Sequence, residues 1–398
     1  MATTTAVSSP FSARLNRIEV SATIAMTAEA AMLRAKGIDL SDLGMGEPHF
    51  NTPRHIKDAA IAAIEQNFTK YTAVGGVPEL RKAIVKRHAA DFGSDYKPEE
   101  AVAATGGKQA LFNAIQVLVD HDDEVIIPVP YWVSFKDIVE YAGGKCVYVR
   151  ADEEQDFRLT ADMIERAITS RTKAIILNTP CNPSGAVMNP DDMRDVVLMA
   201  HRRGIYVISD ECYVYLNFTG DVESAGSLSE ARERLVIIGS LSKTYAMTGW
   251  RSGYALGPKA VVDQISKLQS QSTSNPVSIV QKAAIAALEG PQDCIAEFRA
   301  DYIRLRDQVL ADLKEIPGVS CAKPEGAFYA YPNISAYLGR SGLNSSIDVA
   351  NRLLHEAHVV TVPGEGFGTR EHIRLSYATS SGVLKEALRR MKTFFASV

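Results

Sequence analysis

Between about Lys57 and Leu288 the chain alternates short apolar runs with helical stretches, and that alternation constrains the fold more than any other feature. Strands buried on both faces read as continuous Ile/Val runs, and parallel neighbours need helical crossovers between them. Glu124 to Pro128, Lys173 to Leu177, Gly204 to Ser209 and Leu235 to Ile238 are such runs, each closed by polar or Gly/Pro residues. Ala101 to Ala104 is another, followed by Thr105-Gly106-Gly107-Lys108 and a helical pattern with Leu111, Ala114, Ile115 and Leu118 on one face. A strand, a glycine turn and a helix N-terminus make a cradle of backbone N–H groups suited to phosphate. The expectation is an α/β fold with a large domain over residues 51–289 built on a mostly parallel sheet. From about Gly290 a long polar helix pattern (Cys294 to Ile316) and short strands around Phe328 to Tyr331 and His372 to Ser376 read as a smaller α+β domain. Residues 14–50 are too short to stand alone and are expected to join 290–398 in it, leaving 1–13 as a flexible N-terminal tail.

Composition narrows the partners. A chain of 398 residues with a formal net charge of -4 has no basic excess to hold nucleic acid or an acidic membrane, so small metabolites are the expected partners. Five scattered cysteines without a CxxC pair fit a reducing compartment and offer no zinc site, and no metal is expected. No apolar run approaches the roughly 18 residues of a membrane span. Met1 to Pro10 lacks the basic start and apolar core of a secretory signal, so the cytoplasm is the expected location.

Catalytic groups in open α/β sheets come from the carboxyl ends of the strands. Those ends carry Gly106-Gly107-Lys108, Asn178-Thr179-Pro180-Cys181-Asn182-Pro183-Ser184-Gly185, Asp210-Glu211-Cys212-Tyr213 and Gly239-Ser240-Leu241-Ser242-Lys243. Singly each has an ordinary reading: a lysine at a strand end is surface charge, an aspartate there is a helix cap, and Asn-Pro-Ser-Gly is a turn. Together they supply what an aldehyde cofactor bound through lysine requires, namely an imine-forming amine, an acid for the ring nitrogen, donors to the ring oxygen and a phosphate cup.

In that combination, and with Ala246-Met247-Thr248-Gly249-Trp250-Arg251, Pro130-Tyr131-Trp132 and Arg374-Leu375-Ser376-Tyr377, the chain resembles the fold-type I pyridoxal-phosphate aminotransferases from about Arg14 to its C-terminus, in particular the bacterial-type aspartate aminotransferase branch. The resemblance implies a seven-stranded-type sheet flanked by helices, with pyridoxal 5′-phosphate as cofactor. It makes Lys243 the Schiff-base lysine and proton carrier, Asp210 the partner of the pyridine nitrogen, and Tyr213 and Asn182 donors to the phenolic oxygen. Trp132 would stack on the ring. Backbone N–H groups at Gly107 and Lys108, the hydroxyls of Ser240 and Ser242, and Arg251 would hold the phosphate, while Tyr71 resembles the tyrosine that reaches the phosphate of a neighbouring subunit and so implies a homodimer. Substrate would meet Arg374 at its α-carboxylate, the Gly46 backbone, Trp132 and Asn182, with Lys108 at the distal carboxylate.

The implied reaction is reversible amino transfer between L-aspartate and 2-oxoglutarate, by a ping-pong route through pyridoxamine phosphate. Aromatic or prephenate specificity, a carbon–sulfur lyase of the same fold and a non-catalytic regulator that binds the cofactor are the rival readings. Ser252 and His49 depart from the family's usual Ile and Asp but flank the motifs rather than form them. Glu19 is acidic where several prephenate-accepting relatives are basic, which argues against a second substrate carboxylate at that point.

Overall fold

The computed structural model describes residues 11–19, 22–220 and 223–398, so residues 1–10 of the expected tail lie outside it. Twelve strands are assigned among the described residues: β1 (Ser41–Asp42), β2 (Ala101–Ala104), β3 (Glu124–Val129), β4 (Lys145–Arg150), β5 (Thr172–Asn178), β6 (Tyr206–Asp210), β7 (Leu235–Ser240), β8 (Gly253–Leu256), β9 (Tyr329–Ala330), β10 (Val359–Val360), β11 (Val362–Pro363) and β12 (Ile373–Ser376). Strands β2 to β8 form one seven-stranded sheet in the order β2-β8-β7-β6-β5-β3-β4. Neighbours pair in parallel except at β8, which runs antiparallel to both β2 and β7.

Alternation of side chains explains why the strand runs are apolar throughout. Ile126, Ile175, Leu177, Val207 and Ile237 face one layer of helices, which includes Arg54–Glu65, Pro78–Phe92, Pro190–Arg202 and Ser278–Glu289. Their alternates Val125, Ile127, Ala174, Ile176, Ile208, Val236 and Ile238 face the other, which includes Gly107–Leu118, Ser134–Ala142 and Lys259–Ser270. Because successive residues point to opposite faces and both faces are covered, neither parity tolerates a polar group until the strand ends. The expected runs therefore sit within one or two residues of the observed strands. Strands β4 and β8 were not expected. The first is an edge strand with Lys145 and Arg150 at its ends and half its side chains in solvent, and the second has only four residues, beginning with glycine, so neither makes a long apolar run.

Beyond the sheet, β9, β11 and β12 form a small antiparallel sheet and β1 pairs in parallel with β10. Tyr302, Leu305 and Val309 of helix Asp293–Leu313 pack with Phe328, Ile373, Leu375, Leu384 and Leu388 in a second core. Helix Ala22–Ala35 adds Met26, Ala30 and Leu33 against Ala350, Leu354 and Val360. The turn at Ala13–Arg17 instead lies along helix Ser134–Ala142, where the Arg14 guanidinium stands 5.7 Å from the Tyr141 ring.

One close approach ties the sheet to the glycine turn. A Cβ on Gly253 would fall 2.3 Å from the Gly107 nitrogen and 2.6 Å from the Gly106 carbonyl carbon, both backbone atoms. Gly253→Ala is therefore expected to push β8 from the turn and cost about 1–3 kcal/mol, seen as a lower urea midpoint at an unchanged slope.

Candidate active site

Polar groups converge because β5, β6 and β7 are parallel and in register. Asn178 sits across from Asp210, and Asp210 across from Ile238, so the segments leaving the three strands emerge side by side. They border a cavity of about 420 Å³ that is also lined by the 45–47 loop, the start of helix Gly107–Leu118, Trp132 and Arg374. Gly46, Gly107, Lys108, Trp132, Asn182, Asp210, Tyr213, Ser240, Ser242, Lys243, Arg251 and Arg374 all lie on it. Of the residues given a cofactor or substrate role from sequence, Tyr71 alone does not: it is 91% exposed on the surface.

Lys243 projects from the short helix Leu241–Thr244, whose start is capped by Ser240 Oγ accepting the Ser242 N–H at 3.2 Å. Its amine donates to the Gly46 carbonyl. Burial lowers its pKa to about 8; Arg374 and Arg251 push the same way, while Cys212 and Glu47 oppose them. An amine that is partly neutral near physiological pH is a competent nucleophile. Asp210 is almost completely buried and accepts the Cys212 N–H at 3.1 Å. Burial raises its pKa, and the bonds from Cys212 oppose the rise.

Arg374 is nearly inaccessible to solvent and donates from Nη1 to Asn182 Oδ1 at 3.0 Å and from Nη2 to the Gly44 carbonyl at 2.9 Å. Asn182 is itself oriented by its N–H bonding to Asn178 Oδ1 at 2.9 Å, and Asn178 Nδ2 bonds back to the Asp210 carbonyl at 3.1 Å. The two strand ends are thus laced together beneath the fork. Near the glycine turn, Gly106 takes φ +89°, and a Cβ there would lie 2.6 Å from Arg251 Nη2. Only glycine lets the guanidinium sit against the turn. Arg251 is fixed in turn by Nη1 donating to the Thr248 carbonyl at 2.9 Å, and Thr248 Oγ1 reaches Glu47 at 2.9 Å. The Lys108 ammonium stands 4.8 Å over the Trp132 ring; burial lowers its pKa, helped by Arg251 and opposed by Asp137.

The cavity also includes Met45, Glu47, Asn178, Cys212, Thr248 and Tyr329. Asn178, Cys212 and Thr248 stand inside motifs already noted, so adjacency was the available signal. Tyr329 lay in a stretch legible only as a strand. The departures fall elsewhere: His49 pairs with Asp301 at 3.1 Å, and Glu19 pairs with Lys136 at 3.4 Å while its N–H bonds to Asp137 at 3.2 Å.

Comparison with known proteins places the chain in a family. The model for aminotransferases of class I and II matches residues 38–391. The chain belongs to this family. It is 44% identical to the aspartate aminotransferase of Geobacillus stearothermophilus over 385 residues, 96% of this chain and 98% of the relative. It is 42% identical to the aspartate/prephenate aminotransferase of Nitrosomonas europaea, over 97% of this chain and 99% of the relative. The solved structure of aspartate aminotransferase from Thermus thermophilus with maleate superimposes with a TM-score of 0.92 at 40% identity, covering 97% and 99% of the two chains.

Class I and II aminotransferases work with pyridoxal 5′-phosphate, and the residues present fit that group. A buried carboxylate at Asp210 has burial against its charge and stands to gain from a ring N–H⁺. The Gly106 turn, a helix N-terminus, two serines and Arg251 form an anion cradle. The Nε of Arg374 is buried without a hydrogen-bond partner among the described residues. Among those residues no His/Cys/Asp/Glu group could hold a metal ion, and no helix is long and apolar enough to cross a membrane.

Lys243 sets a pH dependence. Its folded pKa of about 8 lies below the ordinary 10.5, so the folded chain binds fewer protons there than the unfolded one between those values, and its stability rises with pH across that window. The neutral fraction grows about tenfold per pH unit below pH 8. The rate at which the cofactor-free protein captures pyridoxal phosphate, followed by absorbance, should climb accordingly and level off above about pH 8. Lys243→Ala should abolish this capture.

Proposed function

We propose that this aminotransferase exchanges the amino group of L-aspartate with the oxo group of 2-oxoglutarate, giving oxaloacetate and L-glutamate in two half-reactions at the one cavity. The observation that carries the reading is the pair of cations, Arg374 and Lys108, brought from distant parts of the chain to one small cavity. A planar guanidinium suits the α-carboxylate common to all amino acids, and a second cation selects a donor with a second carboxylate. The names of the Geobacillus and Thermus relatives support the same choice.

Pyridoxal 5′-phosphate supplies the aldehyde that takes up the amino group and the ring that accepts the electron pair left when the α-proton departs. In this reading Lys243 would hold the cofactor through its amine, and the same amine would carry the proton of the substrate α-carbon. Asp210 keeps the pyridine nitrogen protonated. Tyr213 and Asn182 would donate to the phenolic oxygen, Trp132 would cover the ring, and Gly107, Lys108, Ser240, Ser242 and Arg251 would hold the phosphate. Gly46 and Asn182 border the substrate beside Arg374. Tyr71, fully exposed on its own chain, would reach the phosphate of a second subunit, making the working unit a homodimer in the cytoplasm.

A second reading, prephenate as an acceptor, is favoured by the Nitrosomonas relative's name and by the position of Glu19. That acid is tied to Lys136 and does not border the cavity, which weakens its power to repel a second carboxylate.

Single-turnover reactions of aspartate and alanine, followed by cofactor absorbance, test the assignment. Lys108→Ala should lower the aspartate-to-alanine rate ratio by about 10- to 100-fold; an unchanged ratio removes Lys108 from substrate recognition. The same assay with prephenate and the pyridoxamine form decides the second reading. For Tyr71, mixing Tyr71→Ala protomers with Lys243→Ala protomers should recover activity above either parent, because a mixed dimer holds one intact site only when the tyrosine is shared across the interface.

A further inference from the structure

Tyr329, in β9, was no part of the motif reading, yet its side chain meets three parts of the site at once. Its hydroxyl lies 2.8 Å from that of Tyr213. The Arg374 guanidinium carbon stands 4.4 Å from its ring centroid. A Cβ on Gly46 would come within 3.1 Å of its oxygen, so the loop carrying Gly46 is seated against the hydroxyl. The backbone fixes this meeting: β9 pairs with β12, the strand of Arg374, through Ser376 opposite Tyr329 and Leu375 opposite Ala330. Edge-to-face packing of the Tyr213 and Tyr329 rings, 5.8 Å apart at 75°, holds the two hydroxyls in contact.

Two phenols in one O···O contact have two protons, of which one fills the contact and the other points away. The identity of the donor therefore decides whether Tyr213 keeps a proton for a third group. The Arg374 cation over its ring makes Tyr329 the better donor. Burial raises both phenols and the Arg374 charge opposes the rise at both, second only to burial at Tyr329 but behind the influences of Tyr329 and Cys212 at Tyr213, which is pushed well above its ordinary value.

We propose that Tyr329 is a positioning residue: its hydroxyl donates to the Tyr213 oxygen, so that Tyr213's own proton is aimed at the cofactor's phenolic oxygen, while its ring seats the Arg374 fork that receives the α-carboxylate. The proposal rests on the roles given above to Tyr213 and Arg374, and it joins them. A change at one is felt at the other through a single side chain.

The test uses holoenzyme and three variants, Tyr329→Phe, Tyr213→Phe and the double substitution, with far-UV circular dichroism and cofactor stoichiometry confirming that each is folded and loaded. The readout is the pH midpoint of the cofactor's visible absorbance change, alongside the concentration dependence of aspartate single turnovers. Tyr329→Phe keeps the ring beneath Arg374, so half-saturation by aspartate should move by less than about threefold, while the absorbance midpoint should rise by about half a unit to one unit as the bond to the phenolic oxygen weakens. Added to Tyr213→Phe, it should produce no further shift, because the hydroxyl acts through Tyr213. An unchanged midpoint in Tyr329→Phe overturns the proposal, as does a shift that simply adds to that of Tyr213→Phe. Wild type that gains no visible band on adding pyridoxal phosphate would instead overturn the cofactor reading itself, a result separable from any effect of Tyr329.

Discussion

The parallel register of β5, β6 and β7 is the constraint on which the rest of the molecule depends. Both faces of these strands are covered by helices, which disfavours polar side chains along their length, Ser209 with its bond to Glu211 excepted, and leaves the carboxyl ends as the place where chemistry can be mounted. Asn178 opposite Asp210, and Asp210 opposite Ile238, bring the ends level. From there two residues of extension suffice for Cys212 to bond Asp210, and four for Asn182 to bond Asn178. The site is a consequence of sheet geometry before it is a consequence of any one side chain.

Charge gives the cavity its sign. Lys108, Lys243, Arg251 and Arg374 border it, against Asp210 and Glu47, in a chain whose formal net charge is -4. Concentrating cations in a partly buried space carries a desolvation cost, and it appears as the lowered pKa values of Lys108 and Lys243. Anionic ligands offset that cost. A phosphate and two carboxylates are chemically apt occupants, and the same electrostatics that strain the lysines make them reactive.

The sequence was most legible where chemistry is local. Five sheet strands and the motifs at their ends could be read because each is a contiguous run followed by a short turn. β4 escaped because it is an edge strand with charged ends and half its side chains in solvent, and β8 because four residues beginning with glycine make no run. Arg374 shows the other limit. Its partners, the Gly44 carbonyl and Asn182, are 330 and 192 residues away, and neither bond can be inferred from periodicity. Tyr329 was invisible for the same reason: an aromatic in a short strand reads as core, and only the pairing of β9 with β12 reveals that it faces Arg374 and Tyr213.

The loop at residues 44–47 ties the cations of the site to one another. The Gly44 carbonyl accepts from Arg374, the Gly46 carbonyl from Lys243, and Glu47 from Thr248, whose own carbonyl holds Arg251. Three of the four cations are thus linked to one short segment, two of them through neutral carbonyls. Arg374 keeps its Nε without a hydrogen-bond partner among the described residues, so an anion can add to the fork while the Gly44 carbonyl still holds Nη2. The Gly44 and Gly46 carbonyls belong to the same three-residue stretch, so the positions of the Arg374 and Lys243 side chains are set together by one loop.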